Sequence, residues 1–414
     1  MVQSLGNLNG SEDPDVLRIC QVSSCFIPSS GGVETFIYNL SKSLVQNGHQ
    51  VKVITSSRGK PPSYYHEQID GIDVVRYPEK HFFLETPILY PIALRVMKED
   101  YDILHVHGIV PGLTELAALI GRLKRKPVLI TYHCDAENNS KYISRAINIG
   151  YNFLLKYGLP IMADKIVATT SSYAETSVGL SRARDKLTII PCGVGEEYLQ
   201  YGATRADVGV LGNHHRLLFV GKLHKYKGVK DLLKALNIVK GEIPEVQLKI
   251  IGDGKERERL EALAHNLGLD SNVKFLCRLP PRELLEAFMK SDVVVLPSIN
   301  SRREALGIVI LEAMAMGKPV IASKIPGPES MIEDGNDGLL VPPQSHGELA
   351  EAIIHLLKNE RLCLAMGQNG KQKARGFSYD LIAREYERLY SEMLGAEQLQ
   401  SNVSVVPVLQ VRQK

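Results

Sequence analysis

Short runs of aliphatic and β-branched residues alternate along the chain with longer segments in which apolar residues recur every three or four positions. In the first half, this alternation begins at Leu17 and predicts strands at Arg18–Val22, Val51–Thr55, Asp73–Tyr77, Ile103–Val106, Val128–Tyr132, Lys165–Ala168 and Leu187–Ile190. Between the first two strands, apolar positions from Phe36 to Val45 have helical spacing, and Gly48 follows where a helix would end. Strands and helices that alternate in this way are typical of a parallel sheet built from βαβ units.

The apolar rhythm is lost over residues 193–215, where we predict the connection between two domains. The pattern then starts again, with strands predicted at Leu217–Val220, Val246–Ile251, Val273–Cys277, Val293–Leu296, Pro319–Ala322 and Leu339–Val341. Helices are predicted to begin near Gly228, Lys255, Arg282, Gly307 and Gly347. Ser378 is a suitable N-cap for a last helix that ends near Leu394.

The fold class predicted from these patterns is α/β, with two Rossmann-like doubly wound domains. A chain of 414 residues also exceeds the size at which a single core usually stops growing, about 250–300 residues. We predict a flexible tail over residues 1–16, an N-terminal domain over 17–198, a C-terminal domain over 199–376, a helix over 377–395 and a second tail over 396–414.

Charge and composition exclude several classes of protein. The formal net charge is only +3, so there is no overall positive field of the kind that attracts nucleic acid. The six cysteines are scattered without the spacing of a zinc site. The first residues lack the features of a secretion signal, and no apolar run approaches the roughly 20 residues that span a bilayer. We therefore expect a cytoplasmic protein with reduced thiols.

Two glutamates mark the most informative segment, Pro297–Ser323. Glu304 lies in a loop after a predicted strand, and Glu312 lies on the second turn of the helix that follows. Ligands of open α/β sheets bind at this edge, and a carboxylate can accept two hydroxyl hydrogen bonds from a sugar. The free N–H groups where the helix opens, at Ala305, Leu306, Gly307 and Ile308, favour an anion in the same space.

This pair of glutamates, with seven residues between them and EAMAMGKPVIAS after, resembles the motif of the retaining family-4 glycosyltransferases (glycosyltransferase group 1). The resemblance implies the GT-B fold, in which two Rossmann-like domains face each other across a cleft and a C-terminal helix crosses back to the N-terminal domain. It also implies that Glu304 holds hydroxyls of the donor sugar and that Glu312 holds the ribose. The chain departs from the family at Leu306, where an aromatic residue is common.

Two further segments match the family's phosphate-binding loops. Lys222 and Lys227 follow the first strand of the C-terminal domain, where two ammonium groups would stabilise a departing diphosphate, although a solvated lysine face is the alternative. The family usually has arginine at the first of these positions. Gly31 and Gly32 link the first strand to the first helix and resemble the glycine loop that touches the donor phosphate. Glu34 is placed to contact the acceptor or to stabilise the helix dipole.

The remaining candidates lie at the ends of other strands. His133, in the segment LITYHCD, resembles the family's cleft histidine and would bind a sugar hydroxyl or the leaving phosphate; the alternative is a histidine of the core. Gly252 and Gly254 form a turn near the expected nucleotide. We assign catalytic roles to His133, Lys222, Lys227 and Glu304, and donor binding to the glycines, to residues 305–308 and to Glu312.

The resemblance implies transfer of a hexosyl group, with retention, from a UDP- or GDP-linked donor to a hydroxyl acceptor. We expect the acceptor to be a glycan, a glycolipid or a lipid-linked precursor in the synthesis of cell-envelope polysaccharide or glycoconjugate. A sugar-nucleotide epimerase and a nicotinamide dehydrogenase remain alternatives, although neither half opens with a full Gly-x-Gly-x-x-Gly.

No cofactor other than the nucleotide sugar is expected, and no metal, because the only Asp-x-Asp, Asp13 to Asp15, precedes the first strand. Activity should therefore survive a chelator. The basic segment Gly121–Pro127 and the apolar stretch Lys141–Met162 suggest peripheral contact with the inner face of a membrane, or an ordinary half-buried helix beside a charged turn.

Overall fold

The computed structural model describes residues 16–29, 31–57, 64–78, 82–83, 86–87, 90–135, 142–204, 215–301 and 303–395. The predicted tails over 1–16 and 396–414, apart from residue 16, lie outside the described residues, as does most of the predicted interdomain connection. The described chain forms two α/β units, which confirms the predicted fold class.

The N-terminal unit is built on an eight-stranded sheet. Its strands are β1 (Arg18–Val22), β2 (Gln50–Ser57), β3 (Tyr65–Ile69), β4 (Ile72–Pro78), β7 (Ile103–His107), β8 (Val128–Tyr132), β9 (Lys165–Ala168) and β10 (Leu187–Ile189), and β5 (Phe82–Phe83) and β6 (Thr86–Pro87) form a separate hairpin. The order is β10-β9-β8-β7-β1-β2-β4-β3, with all pairs parallel except β3 with β4. All seven predicted strands are present, but β3 and the hairpin were not predicted.

Helices cover both faces of this sheet. They are α1 (Gly32–Gln46), α2 (Tyr90–Val96), α3 (Leu113–Leu123), α4 (Tyr142–Met162) and α5 (Ser171–Thr176). Successive residues of a strand point to opposite faces, so Ile103 joins the core beneath α1 while Leu104 joins the core beneath α2, α3 and α4. The strands are therefore apolar on both sides, which explains their continuous hydrophobic runs.

The C-terminal unit has a six-stranded parallel sheet of order β13-β12-β11-β14-β15-β16. The strands are β11 (Arg216–Val220), β12 (Gln247–Ile251), β13 (Val273–Leu276), β14 (Val293–Leu296), β15 (Val320–Ser323) and β16 (Gly338–Val341). Its helices are α6 (Glu196–Thr204), α7 (Val229–Glu242), α8 (Arg257–Asn266), α9 (Pro281–Lys290), α10 (Ile308–Ala315), α11 (Pro326–Met331), α12 (His346–Leu357) and α13 (Glu360–Ala374).

A last helix, α14 (Tyr379–Leu394), joins the two units. Ser378 caps it as predicted, because its side chain accepts a hydrogen bond from the Leu381 amide. The helix packs against α1, and its Tyr390 hydroxyl lies 2.8 Å from His105 Nδ1 in the N-terminal unit. The chain thus crosses back to the N-terminal unit after the C-terminal sheet is complete.

Candidate active site

The carboxyl ends of the two sheets meet across a narrow interdomain cleft. Gly31, at the start of α1, lies so near the opposite domain that an added Cβ would be 2.9 Å from Lys222 Nζ and 2.3 Å from Glu34 Oε2. Any other residue at position 31 would push against both charged groups. Gly32 faces Ile308 at the start of α10, and Arg278 donates a hydrogen bond of 2.8 Å across the cleft to the Pro28 carbonyl.

Lys227 and Glu304 form an ion pair inside this cleft. Lys227 Nζ lies 2.5 Å from Glu304 Oε2, and the Ser298 hydroxyl donates to the same oxygen at 2.7 Å. Burial of Lys227 disfavours its charge, but the Glu304 carboxylate more than offsets burial, and the pKa of Lys227 is raised. One oxygen of Glu304 is thus held by two donors, while Oε1 is directed toward Gly307 at the opening of α10.

Four cations gather around the loop that carries these lysines. Burial lowers the pKa of His224, and the nearby charges of Arg303, Lys222, Lys255 and Lys227 lower it further. His224 is therefore neutral at pH 7 in a positively charged loop. Such a cluster of cations suits a ligand with two phosphate groups.

The opening of α10 completes the same side of the cleft. The helix begins at Ile308, with Gly307 as N-cap in a left-handed conformation (φ 84°) that favours glycine. Ala305 and Leu306 therefore belong to the preceding loop, and both side chains are buried. The Thr170 hydroxyl of the N-terminal unit donates to the Ala305 carbonyl at 3.3 Å, so this loop also contacts both domains.

The turns after β11 and β12 lie against each other. A Cβ at Gly252 would be 1.9 Å from the Gly221 carbonyl oxygen, and one at Gly254 would be 2.4 Å from the Leu223 carbonyl oxygen. Glycine is therefore needed at both positions, because the turn passes directly over the lysine loop. Arg257, at the start of α8, donates to the Gly252 carbonyl at 3.2 Å.

Glu312 lies one turn further along α10 in a different environment. It is 9% exposed and faces Tyr198 and Glu197 of α6. Burial and the neighbouring Glu197 charge raise the pKa of Glu312 to about 7, against a smaller opposing effect of the Tyr198 hydroxyl. The protonated form of Glu312 is therefore far more favoured near neutral pH than that of an ordinary glutamate.

His133 follows β8 on the N-terminal side of the cleft. Its ring lies 5.1 Å from that of Phe36 in α1 and 5.8 Å from that of His107, and burial lowers its pKa to about 4. Within the described residues, His133 Nε2, His107 Nδ1 and Gln21 Nε2 are buried without a hydrogen-bond partner. His133 is therefore a neutral imidazole with an unsatisfied ring nitrogen, not a fully satisfied core histidine.

The structure brings together most of the residues predicted for the site. The cleft brings together Gly31, Gly32, Glu34, Lys222, Lys227, Glu304, Gly307 and Ile308, and Gly252 and Gly254 adjoin them. Glu312 lies one turn further along α10, and the His133 ring packs against Phe36 of α1. The described residues contain no group of three or more histidine, cysteine or acidic side chains that could hold a metal ion.

Four residues of the candidate site were not predicted from the sequence. Ser298 and Arg303 flank Glu304 within six residues, so their proximity in sequence was an available signal. Glu197 and Tyr198 lie more than a hundred residues from Glu312, and no local pattern indicated that α6 packs on α10.

Comparison with known proteins supplies the family. A model of Glycosyltransferase Family 4 matches residues 30–198, and a model of Glycosyl transferases group 1 matches residues 203–373. The chain belongs to the group 1, family-4 glycosyltransferases. It is a glycosyltransferase of the GT-B fold, which favours this activity over the epimerase and the dehydrogenase considered from the sequence.

Named relatives align with almost the whole of this chain. The D-inositol 3-phosphate glycosyltransferase of Corynebacterium jeikeium is 28% identical, over 88% of this chain and 92% of its own. The O-antigen chain mannosyltransferase C of Escherichia coli is also 28% identical, over 91% and 99%. Among solved structures, Anabaena HepE in complex with UDP and glucose superposes with a TM-score of 0.70 at 20% identity, covering 91% of this chain and all of that one.

Proposed function

We propose that this glycosyltransferase moves a hexosyl group from a nucleoside diphosphate sugar to a hydroxyl acceptor with retention of configuration at the anomeric carbon. The observation that carries the proposal is the buried Lys227–Glu304 pair beside Lys222 and Gly31, because it places fixed cations and a hydroxyl-accepting carboxylate in one narrow space. The UDP and glucose bound by HepE, a protein of the same fold, support a donor of this class.

In the proposed complex, the diphosphate lies among Lys222, Lys227 and Arg303, near the amides at the opening of α10. Oε1 of Glu304 accepts hydroxyls of the hexose while its other oxygen remains fixed by Lys227 and Ser298. Glu312 accepts hydroxyls of the ribose in its ionised form. Because Lys227 and Ser298 already hold Glu304, this contact would need little reorganisation for reaction.

The bond between C1 of the hexose and the phosphate oxygen breaks with its electron pair leaving on the diphosphate, where the cations stabilise the growing charge. The acceptor oxygen forms its bond to C1 from the same face, and its proton passes to the departing phosphate oxygen. Neutral His133 donates or accepts one hydrogen bond at the sugar or phosphate. No acid and base pair of the glycosidase kind is required.

The two named relatives differ in acceptor, an inositol phosphate in one and an O-antigen chain in the other. We propose an acceptor hydroxyl on a glycan, a glycolipid or a lipid-linked precursor of a cell-envelope glycoconjugate. The reaction is proposed to need no metal, so that a chelator leaves the rate unchanged.

Thermal unfolding with a panel of UDP-, GDP- and ADP-linked hexoses tests donor binding, since a ligand at 100 times its dissociation constant stabilises the native state by about 2.7 kcal/mol. One nucleotide series should raise the melting temperature of the wild type. The rise should be smaller for Glu304→Gln, which loses the contact to the hexose hydroxyls but keeps those to the diphosphate and the ribose. Glu283→Gln, at an exposed position of α9, is the matched control and should respond like the wild type.

Product analysis tests the reaction itself. Nuclear magnetic resonance should show that the glycosidic product keeps the anomeric configuration of the donor, and product should form only when an acceptor is present. Inversion, an altered sugar made from donor alone, or no stabilisation by any nucleotide sugar would each refute the proposal.

A further inference from the structure

Large apolar side chains are exposed unevenly over the described surface. Thirteen are exposed. Seven of them lie on the three neighbouring helices α2, α3 and α4, and an eighth directly follows α2; the eight are Leu94, Met97, Leu119, Leu123, Phe153, Leu154, Tyr157 and Ile161. The helices pack side by side on the face of the N-terminal sheet away from α1. We call the outer side of α2–α4 the flank surface.

Helix α4 shows why this exposure is unusual. Its inner side buries Leu155 and Leu159 in the core beneath the helix layer, as a surface helix should. Its outer side nevertheless presents Phe153, which is 63% exposed, and Ile161, which is 69% exposed. A helix that is apolar on both sides normally has a partner on both sides.

The apolar side chains continue onto the neighbouring helices. Leu119 and Leu123 project from α3, the latter 70% exposed, and Leu94 and Met97 project from the last turn of α2 and the residue after it. An apolar surface that extends over three adjacent helices marks an interaction site more often than scattered exposed residues do.

Basic residues surround the flank surface. Lys98, Arg122 and Arg125 are exposed at the ends of α2 and α3. Beside α4, the Arg182 guanidinium carbon lies 4.4 Å from the centre of the Tyr157 ring, and Lys156 approaches the same ring. Of these cations, Arg122 lies near an acid, with its Nη1 atom 3.6 Å from Asp164 Oδ1, and both side chains are nearly half exposed.

We propose that the flank surface binds the interfacial region of an anionic membrane. Aromatic and aliphatic side chains would enter the boundary between headgroups and acyl chains, while lysine and arginine would extend toward anionic headgroups. A second copy of the chain fits less well, because a symmetric contact would bring the same basic residues of both copies together. No helix in the described ranges is long and apolar enough to cross a membrane, so the binding is peripheral.

The position of the flank surface leaves the cleft accessible. Helix α3 begins after the carboxyl end of β7 and runs back along the sheet. The exposed apolar residues of its second half therefore lie on the side of the N-terminal unit, away from the cleft. Resting on the proposed transferase function, the inference selects an acceptor hydroxyl on a lipid-linked molecule at the membrane surface over one on a freely diffusing sugar.

Vesicle flotation tests the proposal with phosphatidylcholine vesicles that do or do not contain phosphatidylglycerol. The wild type should float with the anionic vesicles at low ionic strength and much less with the neutral ones. Leu123→Ser combined with Ile161→Ser should lower the partition coefficient about tenfold or more, because two exposed apolar side chains are lost. Lys98→Gln combined with Arg125→Gln should lower it about fivefold for each charge removed.

The matched control is Ile238→Ser combined with Leu364→Ser, which removes exposed apolar side chains from the C-terminal unit. It should partition like the wild type. Absence of wild-type binding to anionic vesicles overturns the proposal. So does a dimer in sedimentation velocity that the Leu123 and Ile161 substitutions dissociate, since the surface would then contact a second copy.

Donor-induced stabilisation separates this test from the test of function. The flank variants should keep the full shift in melting temperature with the nucleotide sugar, because they lie outside the cleft. If the protein binds vesicles but no nucleotide sugar raises its melting temperature, the membrane-binding proposal stands and the proposed transferase mechanism is refuted. If a nucleotide sugar raises the melting temperature but the protein does not bind vesicles, only the membrane-binding proposal is refuted.

Discussion

Glu304 and Glu312 lie eight positions apart, both buried beneath the same cleft, and yet their electrostatic surroundings are opposite. Glu304 is paired with Lys227 and accepts a further hydrogen bond from Ser298. Glu312 faces a second carboxylate, Glu197, and its pKa is raised to about 7. The comparison shows that two acids of one motif can have opposite electrostatic surroundings, because the fold supplies a cation to one and a second carboxylate to the other.

The largest effect is expected from Lys227→Ala, which leaves the Glu304 carboxylate buried without its cation. Truncating one partner of a buried pair typically costs about 3–5 kcal/mol of stability. Loss of a cation that faces the developing charge should also lower kcat/KM by roughly 10²–10³-fold. Chemical denaturation and steady-state kinetics measure the two effects.

Lys225→Ala, in the same turn but exposed, is the control and should stay within about 0.5 kcal/mol of the wild type. Adding Glu304→Gln to Lys227→Ala should restore part of the stability but none of the activity, because the unpaired charge is removed along with the sugar contact. Additive stability losses in the double variant would contradict the buried pair.

An intermediate effect is expected from the groups that set the charge of Glu312. If the ionised form holds the ribose, nucleotide affinity should rise about tenfold between pH 6 and pH 8. Glu197→Gln removes a repulsive charge and should move this rise to lower pH, whereas Tyr198→Phe removes a stabilising hydroxyl and should move it to higher pH. Calorimetric titration with the nucleoside diphosphate at several pH values measures the shifts.

Glu196→Gln is the matched control, since Glu196 neighbours Glu197 but is not among the groups that shift the pKa of Glu312.

The free energy of unfolding should also depend on the titration of Glu312. Because the folded-state pKa of Glu312 lies above its ordinary value of 4.5, its contribution to stability is complete below pH 4.5 and is lost as the pH rises through 7. Glu312→Gln should therefore match the wild type below pH 4.5 and become more stable than it as the pH rises from 4.5, with the full difference reached above pH 7. A flat profile would contradict the raised pKa.

The smallest effect is expected from Ser298→Ala. It removes one of two donors to Glu304 Oε2 and should cost about 1 kcal/mol of stability together with a few-fold loss in kcat/KM. Ser291→Ala also removes a buried hydrogen bond, to the Phe288 carbonyl, but at the opposite edge of the sheet. Equal losses of activity in the two variants would mean that Ser298 supports the fold without orienting Glu304.

Most of the fold could be predicted because its strands are buried on both sides and are apolar without interruption. Strand β3, Tyr65–Ile69, escaped prediction because it is a mostly polar edge strand, which in the described part of the chain pairs with β4 alone. Its signal was the Asp70–Gly71 dipeptide, in which both residues have positive φ as a tight hairpin turn requires.

The site was predictable in its residue types and in its position at the strand ends, because parallel strands bring their carboxyl ends to one edge. Its pairings were not. Lys227 and Glu304 are 77 positions apart, and the acid that repels Glu312 comes from α6, just beyond the N-terminal sheet. Which charges meet depends on which strands are neighbours in the C-terminal sheet and on how α6 packs against α10, and no local pattern encodes either arrangement.

Helix α14 has a consequence for engineering. In sequence it follows the C-terminal sheet, but its tyrosines bond to His105 and Thr131 of the N-terminal unit. A chimaera designed to exchange the C-terminal domain between relatives should therefore take its second junction at Ser378 and keep residues 379–394 with the parent that supplies the N-terminal domain. With a junction at the end of the chain, α14 would come from the same parent as the C-terminal sheet. Its tyrosines would then face an N-terminal unit from the other parent.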